Sequence, residues 1–244
     1  MENCKDTPKA VILAAGRGER LLPYTEKCPK PLTLISGRPI LEHVICTLKS
    51  VGIKDFVIVT GYLGNAIQTY FGDGSRLGVT IRYIENPSYP RGNATSLAVA
   101  EKLLGNNEIF LLSMADHLMD RHIVERALKN IDRQPLLCVD LKLPNFFQVK
   151  DATKVLVGSD GYIKDIGKTI PRWNGLDTGL FLLDDTIFDT VHQMVKTRNP
   201  LILSQCIGQM IKSHELWACD VSGFFWLDVD TWEDLLLARE RCSL

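Results

Sequence analysis

Several features that mark other classes of protein are missing from this sequence. The seven cysteines show no C-x-x-C spacing, and their odd number in a chain of 244 residues argues against a disulfide scaffold or a zinc site. Basic residues are not in excess, because 28 lysines and arginines face 29 acidic residues, for a formal net charge of −1. That balance argues against a nucleic-acid-binding protein and against a polybasic membrane patch.

Long apolar segments are missing too. No uninterrupted apolar run approaches the length of a membrane span, and the opening segment Met1–Lys9 is polar, unlike a signal peptide. We therefore expect a cytoplasmic protein that is not itself embedded in a membrane. Apolar residues still make up 45% of the chain, which is enough for a substantial core.

Apolar β-type runs alternate with helical stretches in the first half. The expected strands are Ala10–Ala15, Phe56–Thr60, Val79–Ile84 and Ile109–Met114. The expected helices are Pro39–Val51, Leu63–Phe71 and Asn93–Leu104. This alternation predicts an α/β fold with a Rossmann-like, mostly parallel sheet flanked by helices. The four strands read as buried runs without polar alternation, which is typical of central parallel strands.

After Asn130 the pattern changes to short runs separated by turn residues. The expected strands are Leu136–Leu141, Lys154–Val157, Tyr162–Gly167, Thr178–Leu183, Leu216–Val221 and Phe225–Asp230. The expected helices are Asp184–Lys196, Leu201–Lys212 and Thr231–Arg241. We interpret residues 1–244 as a single domain. Residues 1 to about 130 would bind a nucleotide, and the rest would form a smaller antiparallel portion that holds an acceptor and supplies the last metal-binding strand and helix.

A glycine-rich loop follows the first expected strand. It reads Leu13-Ala14-Ala15-Gly16-Arg17-Gly18-Glu19-Arg20-Leu21. Its two glycines allow backbone N–H groups to approach phosphates closely, and Arg20 adds a bidentate phosphate-binding fork. Lys30 follows between two prolines that stiffen the backbone around its charge. A rigid cation beside such a loop suits charge that develops on a phosphoryl group.

Two acidic segments follow apolar strands. Asp116 comes after Ile109–Met114, where ligands bind in parallel sheets, although it could merely cap a helix. Asp228 and Asp230 lie two residues apart and could face one cation. Oxygen ligands of this kind, together with substrate phosphates, suit Mg²⁺. Alternatively, Asp230 or Thr231 could be an N-cap, with an acidic residue three positions later completing a capping box.

Other polar residues allow a functional and a structural interpretation. Asn93 and Ser96 could hydrogen-bond to a base or ribose, or Asn93 could simply cap a helix. Lys168 could hold an acceptor phosphate as a cation one strand away from the phosphate loop, or it could be a solvated lysine at a strand end. Asp177 and Thr178 could bind polyol hydroxyls, or make a turn before Gly179. The five histidines show no metal spacing, and we interpret His117 as a neighbour of the site rather than a base.

The stretch from Leu13 to Leu32 resembles the nucleotide-binding loop of the sugar-phosphate nucleotidyltransferase superfamily, L-A-A-G-x-G-x-R-L followed by P-K-x-L. Glu19 departs from that pattern, in which Ser or Thr often precedes the arginine. The resemblance implies that Arg20 and Lys30 are catalytic, holding the phosphates of CTP or UTP. It also implies that one aspartate from each acidic segment holds Mg²⁺. Asp116 matches the first, and Asp230 is favoured over Asp228 for the second.

Further stretches resemble the cytidylyltransferase branch that acts on choline or inositol phosphates. The Asn-x-x-Ser-Leu variant at 93–97 replaces the G-L-A/G-Q stretch usual in hexose-phosphate enzymes. Asp151–Val155, Ile166–Lys168 and Asp177–Phe181 resemble the enzymes specific for inositol 1-phosphate. The nucleotide-binding residues are then expected to be Leu13, Ala14, Ala15, Gly16, Arg17, Gly18, Glu85, Gly92, Asn93 and Ser96. The acceptor-binding residues are expected to be Lys168, Asp177, Thr178 and Gly179.

The resemblance implies a transfer reaction in which inositol 1-phosphate attacks CTP, giving CDP-inositol and pyrophosphate. The product would feed the synthesis of inositol phosphodiesters, which serve as compatible solutes. Because the sequence ends at Leu244, we expect the membrane transferase that uses the product to be a separate protein. The alternatives are a hexose-1-phosphate uridylyl- or thymidylyltransferase, a choline-phosphate cytidylyltransferase, and a regulatory subunit that senses nucleotide sugars. Assembly into a homo-oligomer stays open.

Overall fold

The computed structural model describes residues 7–142 and 152–242, so Asp151 lies outside the described residues. The strands are β1 (Lys9–Ala14), β2 (Leu34–Ile35), β3 (Arg38–Pro39), β4 (Asp55–Thr60), β5 (Thr80–Glu85), β6 (Phe110–Met114), β7 (His117–Met119), β8 (Leu136–Asp140), β9 (Lys154–Val157), β10 (Ile163–Gly167), β11 (Gly175–Leu183), β12 (Trp217–Asp220) and β13 (Trp226–Asp228). The α-helices are α1 (Ile40–Ser50), α2 (Gly64–Phe71), α3 (Ala94–Ala100), α4 (Arg121–Lys129), α5 (Thr186–Val195), α6 (Leu203–Met210) and α7 (Trp232–Cys242).

Nine of these strands form one sheet. Its main path runs in the order β10-β9-β11-β6-β1-β4-β5, and β8 pairs with β11 and β12 beside that path. Strands β1, β4, β5 and β6 are parallel, whereas β11 runs antiparallel to β6, β8 and β9. The mixed, mostly parallel sheet expected for the first half is confirmed.

Both faces of the sheet are covered because its central strands are apolar on both sides. Successive side chains of a strand point to opposite faces. Ala10 and Ile12 of β1 therefore join one core cluster, which also contains residues of α1, α2 and α4. Val11 and Leu13 join the other cluster, with residues of α3, α5 and α6.

Strand β5 differs from the expected buried run. It lies at the edge of the sheet, where Thr80, Arg82 and Glu85 are exposed while Ile81 is buried. An edge strand meets solvent along one side, so polar residues are tolerated there.

The strands of the second half extend the same sheet instead of forming a layer of their own. Strand β11 continues it directly from β6 by antiparallel pairing, and β9 and β10 follow. The single-domain interpretation and the division near residue 130 stay predictions. In the described ranges no helix combines the length and the apolar character needed to cross a membrane.

A small antiparallel ribbon lies beside the sheet. In it β7 pairs with β13, so that Asp228 lies opposite His117. Leu118 and Leu227 pack into a third core cluster with Leu235 and Ala238 of α7. The ribbon thereby brings the segment after β6 next to a segment more than a hundred residues later, so that residues of both can contribute to one site.

Candidate active site

The glycine-rich loop leaves the carboxyl end of β1 and ends in a single 3₁₀ turn, Glu19–Leu21. Gly16 is exposed, and a Cβ atom built there would meet nothing within 4 Å. Gly18 has a left-handed backbone with φ of 67°, and a Cβ atom there would approach Cβ of Lys30 to 2.8 Å. Glycine is therefore required at position 18, both by its backbone conformation and by its close packing against Lys30.

Lys30 is the buried cation of the site. It begins a 3₁₀ turn between Pro29 and Pro31, and only 6% of it is exposed. Its Nζ donates hydrogen bonds to Oδ2 of Asp116 at 2.5 Å and to Oδ1 of Asp230 at 2.6 Å. A buried lysine is stable only when its charge is paired in this way.

The carboxylates reach Lys30 from two directions. Asp116 follows β6 at the carboxyl edge of the sheet, where the backbone N–H of Val229 donates to its carbonyl oxygen at 3.0 Å. A strand follows Asp116 directly, so the alternative that it caps a helix is wrong. Asp228 ends β13, and Asp230 lies just beyond it. The ribbon thus brings the three aspartates predicted as metal ligands to one place.

Asp230 pairs with both predicted catalytic cations. Its Oδ2 lies 2.8 Å from the guanidinium of Arg20, and its Oδ1 accepts from Lys30. The capping role belongs instead to Thr231 and Asp234, since Oδ2 of Asp234 accepts from the backbone N–H groups of Asp230 and Thr231 at 3.0 and 2.8 Å. The capping box therefore fixes the backbone that carries Asp230.

His117 lies within this group of carboxylates. Its Nδ1 is 3.0 Å from Oδ1 of Asp116 and 3.7 Å from Oδ1 of Asp228. On its other side the ring packs so closely against Gly179 that a Cβ atom at that glycine would collide with it. The sequence placed His117 near the site but found no metal pattern among the histidines. Asp116, His117 and Asp228 could form a metal site, but they converge only through the pairing of β7 with β13, which the sequence does not show.

Burial and neighbouring charges shift the pKa values in the cluster. Burial alone would lower the pKa of Lys30, but Asp116 and the neighbouring carboxylates outweigh it and hold the pKa above its usual range. Burial would likewise raise the pKa of Asp116, but Lys30 and His117 keep it well below its usual range. Lys30 and Asp116 are therefore a charged pair throughout the neutral range.

The pKa values of the other three groups in the cluster shift for different reasons. Burial would lower the pKa of His117, but Asp228 and Asp116 raise it to about 9. Burial raises the pKa of Asp228 to about 7, and His117 offsets only part of that effect. The pKa of Asp230 is lowered, because Lys30 outweighs the opposite effect of burial. Asp228 is thus the carboxylate whose charge is least compensated by the protein.

The same residue fits a role as a metal ligand. Oδ1 of Asp228 is buried and has no hydrogen-bond partner within the described part of the chain. One ligand atom each from Asp116, His117 and Asp228 lies within 4.8 Å of the others. Two carboxylates with an unsatisfied oxygen suit a divalent cation. The sequence favoured Asp230 beside Asp116, whereas the geometry favours Asp228, because Asp230 already pairs with Arg20 and Lys30.

A cleft of about 320 Å³ opens at this edge of the sheet. Its walls are formed by the glycine-rich loop, the two cations and two of the aspartates. The lining residues are Leu13, Ala14, Gly16, Gly18, Glu19, Arg20, Lys30, Pro31, Ala115, Asp116 and Asp230. The cleft therefore brings together most of the predicted loop residues with Arg20 and Lys30.

Six of the predicted nucleotide-binding residues lie outside the lining, among them Ala15, Arg17 and Glu85. Ala15 is buried, and its carbonyl oxygen accepts from the backbone N–H of Tyr62 at 3.0 Å. Arg17 is exposed and lies 5.7 Å from the centre of the Tyr62 ring. Glu85 is exposed at the end of the edge strand β5. Their contact with a nucleotide stays a prediction.

The segment at 92–96 has structural partners that the sequence did not reveal. Ser96 is 2% exposed, and its hydroxyl accepts from the side chain of Asn86, so the prediction that it contacts a nucleotide needs correction. Asn93 makes no side-chain cap. Its Oδ1 instead accepts from the backbone N–H of Leu203 at 2.8 Å. At Gly92 a Cβ atom would collide with the backbone of Leu201, which accounts for that glycine without a ligand.

Among the predicted acceptor-binding residues, Asp177 lies near the site, whereas Thr178 and Gly179 have structural partners. Asp177 lies at the carboxyl edge of β1 and β6, near His117, and burial raises the pKa of its carboxyl group to about 6. Thr178 is 1% exposed, and its hydroxyl donates to the carbonyl oxygen of Cys138, so it is not available to an acceptor. Both residues belong to β11 and do not form a turn, and Gly179 packs against His117. Thr178 and Gly179 therefore support the site instead of contacting an acceptor.

Lys168 is exposed just after β10. Four strand spacings separate β10 from β1, which corresponds to about 19 Å at the usual spacing of about 4.8 Å. The expectation that Lys168 lies one strand away from the phosphate loop was therefore wrong. Residues 167 and 176 both pair with Lys154, which places Lys168 level with Asp177 across β9. Lys168 does not line the cleft, and its contact with an acceptor stays a prediction.

Comparison with known proteins agrees with this arrangement. A family model described as "Nucleotidyl transferase" matches residues 9–138. The "Bifunctional IPC transferase and DIPP synthase" of Aquifex aeolicus is 34% identical over 231 residues, covering 95% of this chain and 51% of the relative. The "N-acetylmuramate alpha-1-phosphate uridylyltransferase" of Neisseria meningitidis is 43% identical over 112 residues, covering 46% of this chain and 48% of the relative. The chain thus spans about half the length of these curated relatives.

A solved structure shares the fold over nearly the whole chain. The "inositol-1-phosphate CTP transferase from T. maritima" superposes with a TM-score of 0.83 at 26% identity, covering 93% of this chain and 91% of that one. The matched family region contains β1, the glycine-rich loop, Lys30 and Asp116. On the strength of that match, the chain belongs to the nucleotidyl transferase family.

Proposed function

We propose that this chain transfers a cytidylyl group from CTP to inositol 1-phosphate, releasing pyrophosphate and giving CDP-inositol. The observation that carries the proposal is the cleft in which Arg20 and Lys30 meet Asp116 beside an open glycine-rich loop. Similarity to a solved inositol-1-phosphate CTP transferase supports the choice of substrates.

In this reaction an oxygen of the acceptor phosphate forms a bond to the α-phosphorus of CTP. The bond from that phosphorus to the bridging oxygen breaks, and pyrophosphate leaves. The attacking phosphate oxygen is already ionised near neutral pH, so no residue has to act as a base. Positioning and charge stabilisation are sufficient for transfers of this type.

Arg20 and Lys30 would contact the triphosphate. In the structure both cations already pair with Asp230, so phosphate oxygens would replace that carboxylate as their partners. Lys30 keeps its charge because of the neighbouring aspartates, and Gly18 and two prolines hold its backbone in place. A cation fixed before the reaction can stabilise developing charge without reorganising.

Asp116 and Asp228 are the residues we propose to hold Mg²⁺. When bound, Mg²⁺ would neutralise charge on the substrate phosphates. Asp116 is ionised under all neutral conditions, whereas the pKa of Asp228 is about 7 in the metal-free protein and would fall when a divalent cation binds. His117 restrains Asp116 through the contact at Nδ1.

The acceptor would lie between β11 and Lys168. Asp177 has one carboxylate oxygen engaged with the backbone N–H of Gly179 at 2.7 Å, and the carboxylate can also accept hydrogen bonds from ring hydroxyls. Lys168 would hold the acceptor phosphate. A site that recognises hydroxyl groups rejects analogues without them, so choline phosphate should be a poor acceptor.

The experiment that tests this proposal is a screen of nucleotides against acceptors. The purified protein is incubated with Mg²⁺, each of CTP, UTP, dTTP, ATP and GTP, and each of inositol 1-phosphate, glucose 1-phosphate and choline phosphate. Pyrophosphate release should be fastest with CTP and inositol 1-phosphate. Efficient use of UTP with glucose 1-phosphate, and none of CTP with inositol 1-phosphate, would overturn the substrate assignment.

A uridylyltransferase acting on a sugar 1-phosphate is the second candidate. It is favoured by the 43% identity to the Neisseria meningitidis relative, which covers just under half of this chain. The screen separates the two candidates. A regulatory subunit that only senses nucleotide sugars is less well supported, because Arg20, Lys30 and the aspartates form an assembled, charged site.

A further inference from the structure

The start of β9 lies between the two parts of the proposed acceptor site. Lys154 pairs with Gly167 of β10 on one side and with Leu176 of β11 on the other. The backbone N–H of Asp177 donates to the carbonyl oxygen of Thr153 at 3.0 Å. Residues 153–154 therefore lie on the strand between Lys168 and Asp177, and the function proposed above gives them no role.

The side chain of Lys154 reaches across to the loop that carries Lys168. Its Nζ donates a hydrogen bond to the carbonyl oxygen of Lys168 at 2.9 Å and lies 6.0 Å from the centre of the Trp173 ring. Trp173 in turn packs against the core cluster formed with α1, α2 and α4. Lys154 as a whole is half-buried, and its charged end donates to one particular backbone carbonyl.

The far end of the same loop is attached to β9 as well. The side chain of Asn174 accepts from the backbone N–H of Val157 at 2.7 Å and donates to its carbonyl oxygen at 2.9 Å. The backbone N–H of Asn174 donates to the carbonyl oxygen of Val155 at 3.0 Å. Loop 168–174 is thus attached at both ends, and Lys154 is the attachment next to Lys168.

We propose that Lys154 is a positioning residue for acceptor binding: its hydrogen bond to the Lys168 carbonyl holds the Lys168 ammonium where the acceptor phosphate binds. This inference rests on the acceptor role proposed for Lys168. Lys154 lies three strands from the glycine-rich loop along the sheet, so it acts on the acceptor and leaves the nucleotide unaffected.

The test compares variants in steady-state assays with CTP, inositol 1-phosphate and Mg²⁺. Lys154→Met keeps the apolar stem and removes the donor, Lys154→Leu is a second removal of the donor, and Lys154→Arg keeps a charged donor. Lys164→Met is the matched control, because Lys164 is an exposed lysine of β10 that pairs with Asp160. Lys168→Ala tests the acceptor assignment itself.

Lys154→Met and Lys154→Leu should raise KM for inositol 1-phosphate roughly fivefold to tenfold, the scale of one lost hydrogen bond. Their kcat and KM for CTP should stay within about twofold of the original, since the nucleotide side is not touched. Lys154→Arg should recover most of the loss, and Lys164→Met should have no effect. An unchanged acceptor KM in both Lys154 removals, together with a raised one in Lys168→Ala, would overturn this inference alone. If Lys168→Ala also leaves the acceptor KM unchanged, the acceptor site itself has been assigned wrongly.

Discussion

At the scale of single residues, the site depends on one lysine that is charged and nearly inaccessible. Lys30 contacts Asp116 and Asp230, and Gly18 lies against its stem. Its residue type and the flanking prolines were visible in the sequence, but its burial and its two partners were not. They depend on segments 86 and 200 residues away along the chain.

Replacing Lys30 should harm catalysis more than substrate binding. Lys30→Met should lower kcat and kcat/KM for CTP alike, by about 10²–10³-fold, the scale of losing one preorganised electrostatic contact. Lys27→Met is the control, because Lys27 is exposed three residues earlier. Steady-state kinetics measure both. Equal and small losses in the two variants would show that Lys30 has no special role.

Asp177 should make stability depend on pH. Burial raises its pKa in the folded protein to about 6 from the ordinary 3.8, so the folded state holds a proton that the unfolded state has released between these values. The free energy of unfolding therefore falls as pH rises through that window. Asp177→Asn retains an oxygen for the bond from Gly179 and cannot titrate.

The stability of Asp177→Asn relative to the original protein should accordingly be higher at pH 7 than at pH 4.5. Urea denaturation of both proteins at the two pH values measures this difference. Shared contributions from other groups cancel in the comparison. A difference that does not change with pH would mean that the Asp177 pKa is not raised.

At the scale of elements, the first turn of α7 holds part of the site in place. Oδ2 of Asp234 accepts from the backbone N–H groups of Asp230 and Thr231 and from the Thr231 hydroxyl. The sequence showed the capping box but left open which residue was the cap. The structure assigns it to Thr231 and leaves the Asp230 side chain facing the two cations.

Removing this cap should affect both stability and activity. Asp234→Ala should lower the free energy of unfolding by about 1 kcal/mol, the usual value for a lost cap, and lower kcat/KM because Asp230 is less well held. Glu233→Ala is the control in the same turn, since Glu233 is exposed. Thermal denaturation and kinetics test both effects, and equal behaviour of the two variants would contradict them.

Helix α4 was not among the predicted helices, although its N-cap and its apolar spacing are visible in the sequence. Asp120 accepts from the backbone N–H of His122 as an N-cap, and Ile123, Val124 and Ala127 are buried on one face. That cap and spacing are sufficient to predict a helix. Strand β13 lies within the predicted strand Phe225–Asp230, whereas β7 was not predicted, because three residues are too few to show a period.

At the scale of the whole molecule, alternating apolar runs were enough to predict a mostly parallel sheet. They also placed Asp116 at its carboxyl edge. They could not show that β11 continues the sheet antiparallel to β6, which brings Asp177 next to His117. Nor could they show that Ser96 and Thr178 are buried, since Ser96 bonds to Asn86 in a preceding loop and Thr178 bonds to Cys138 of another strand. Local pattern therefore predicted the scaffold, and long-range pairing determined which polar residues face the cleft.

We propose that nucleotidyl transfer takes place where Asp116, Lys30 and Arg20 meet. The most direct measurement is the turnover of CTP with inositol 1-phosphate and Mg²⁺ by Asp116→Asn and by Asp55→Asn. Asp55 is an exposed aspartate at the opposite edge of the sheet, where β4 begins. Asp116→Asn should lose turnover by two or more orders of magnitude, because it removes a group that acts on transition-state charge. Its circular dichroism should be unchanged, and Asp55→Asn should be fully active. Near-normal turnover by a folded Asp116→Asn would contradict this location of the reaction.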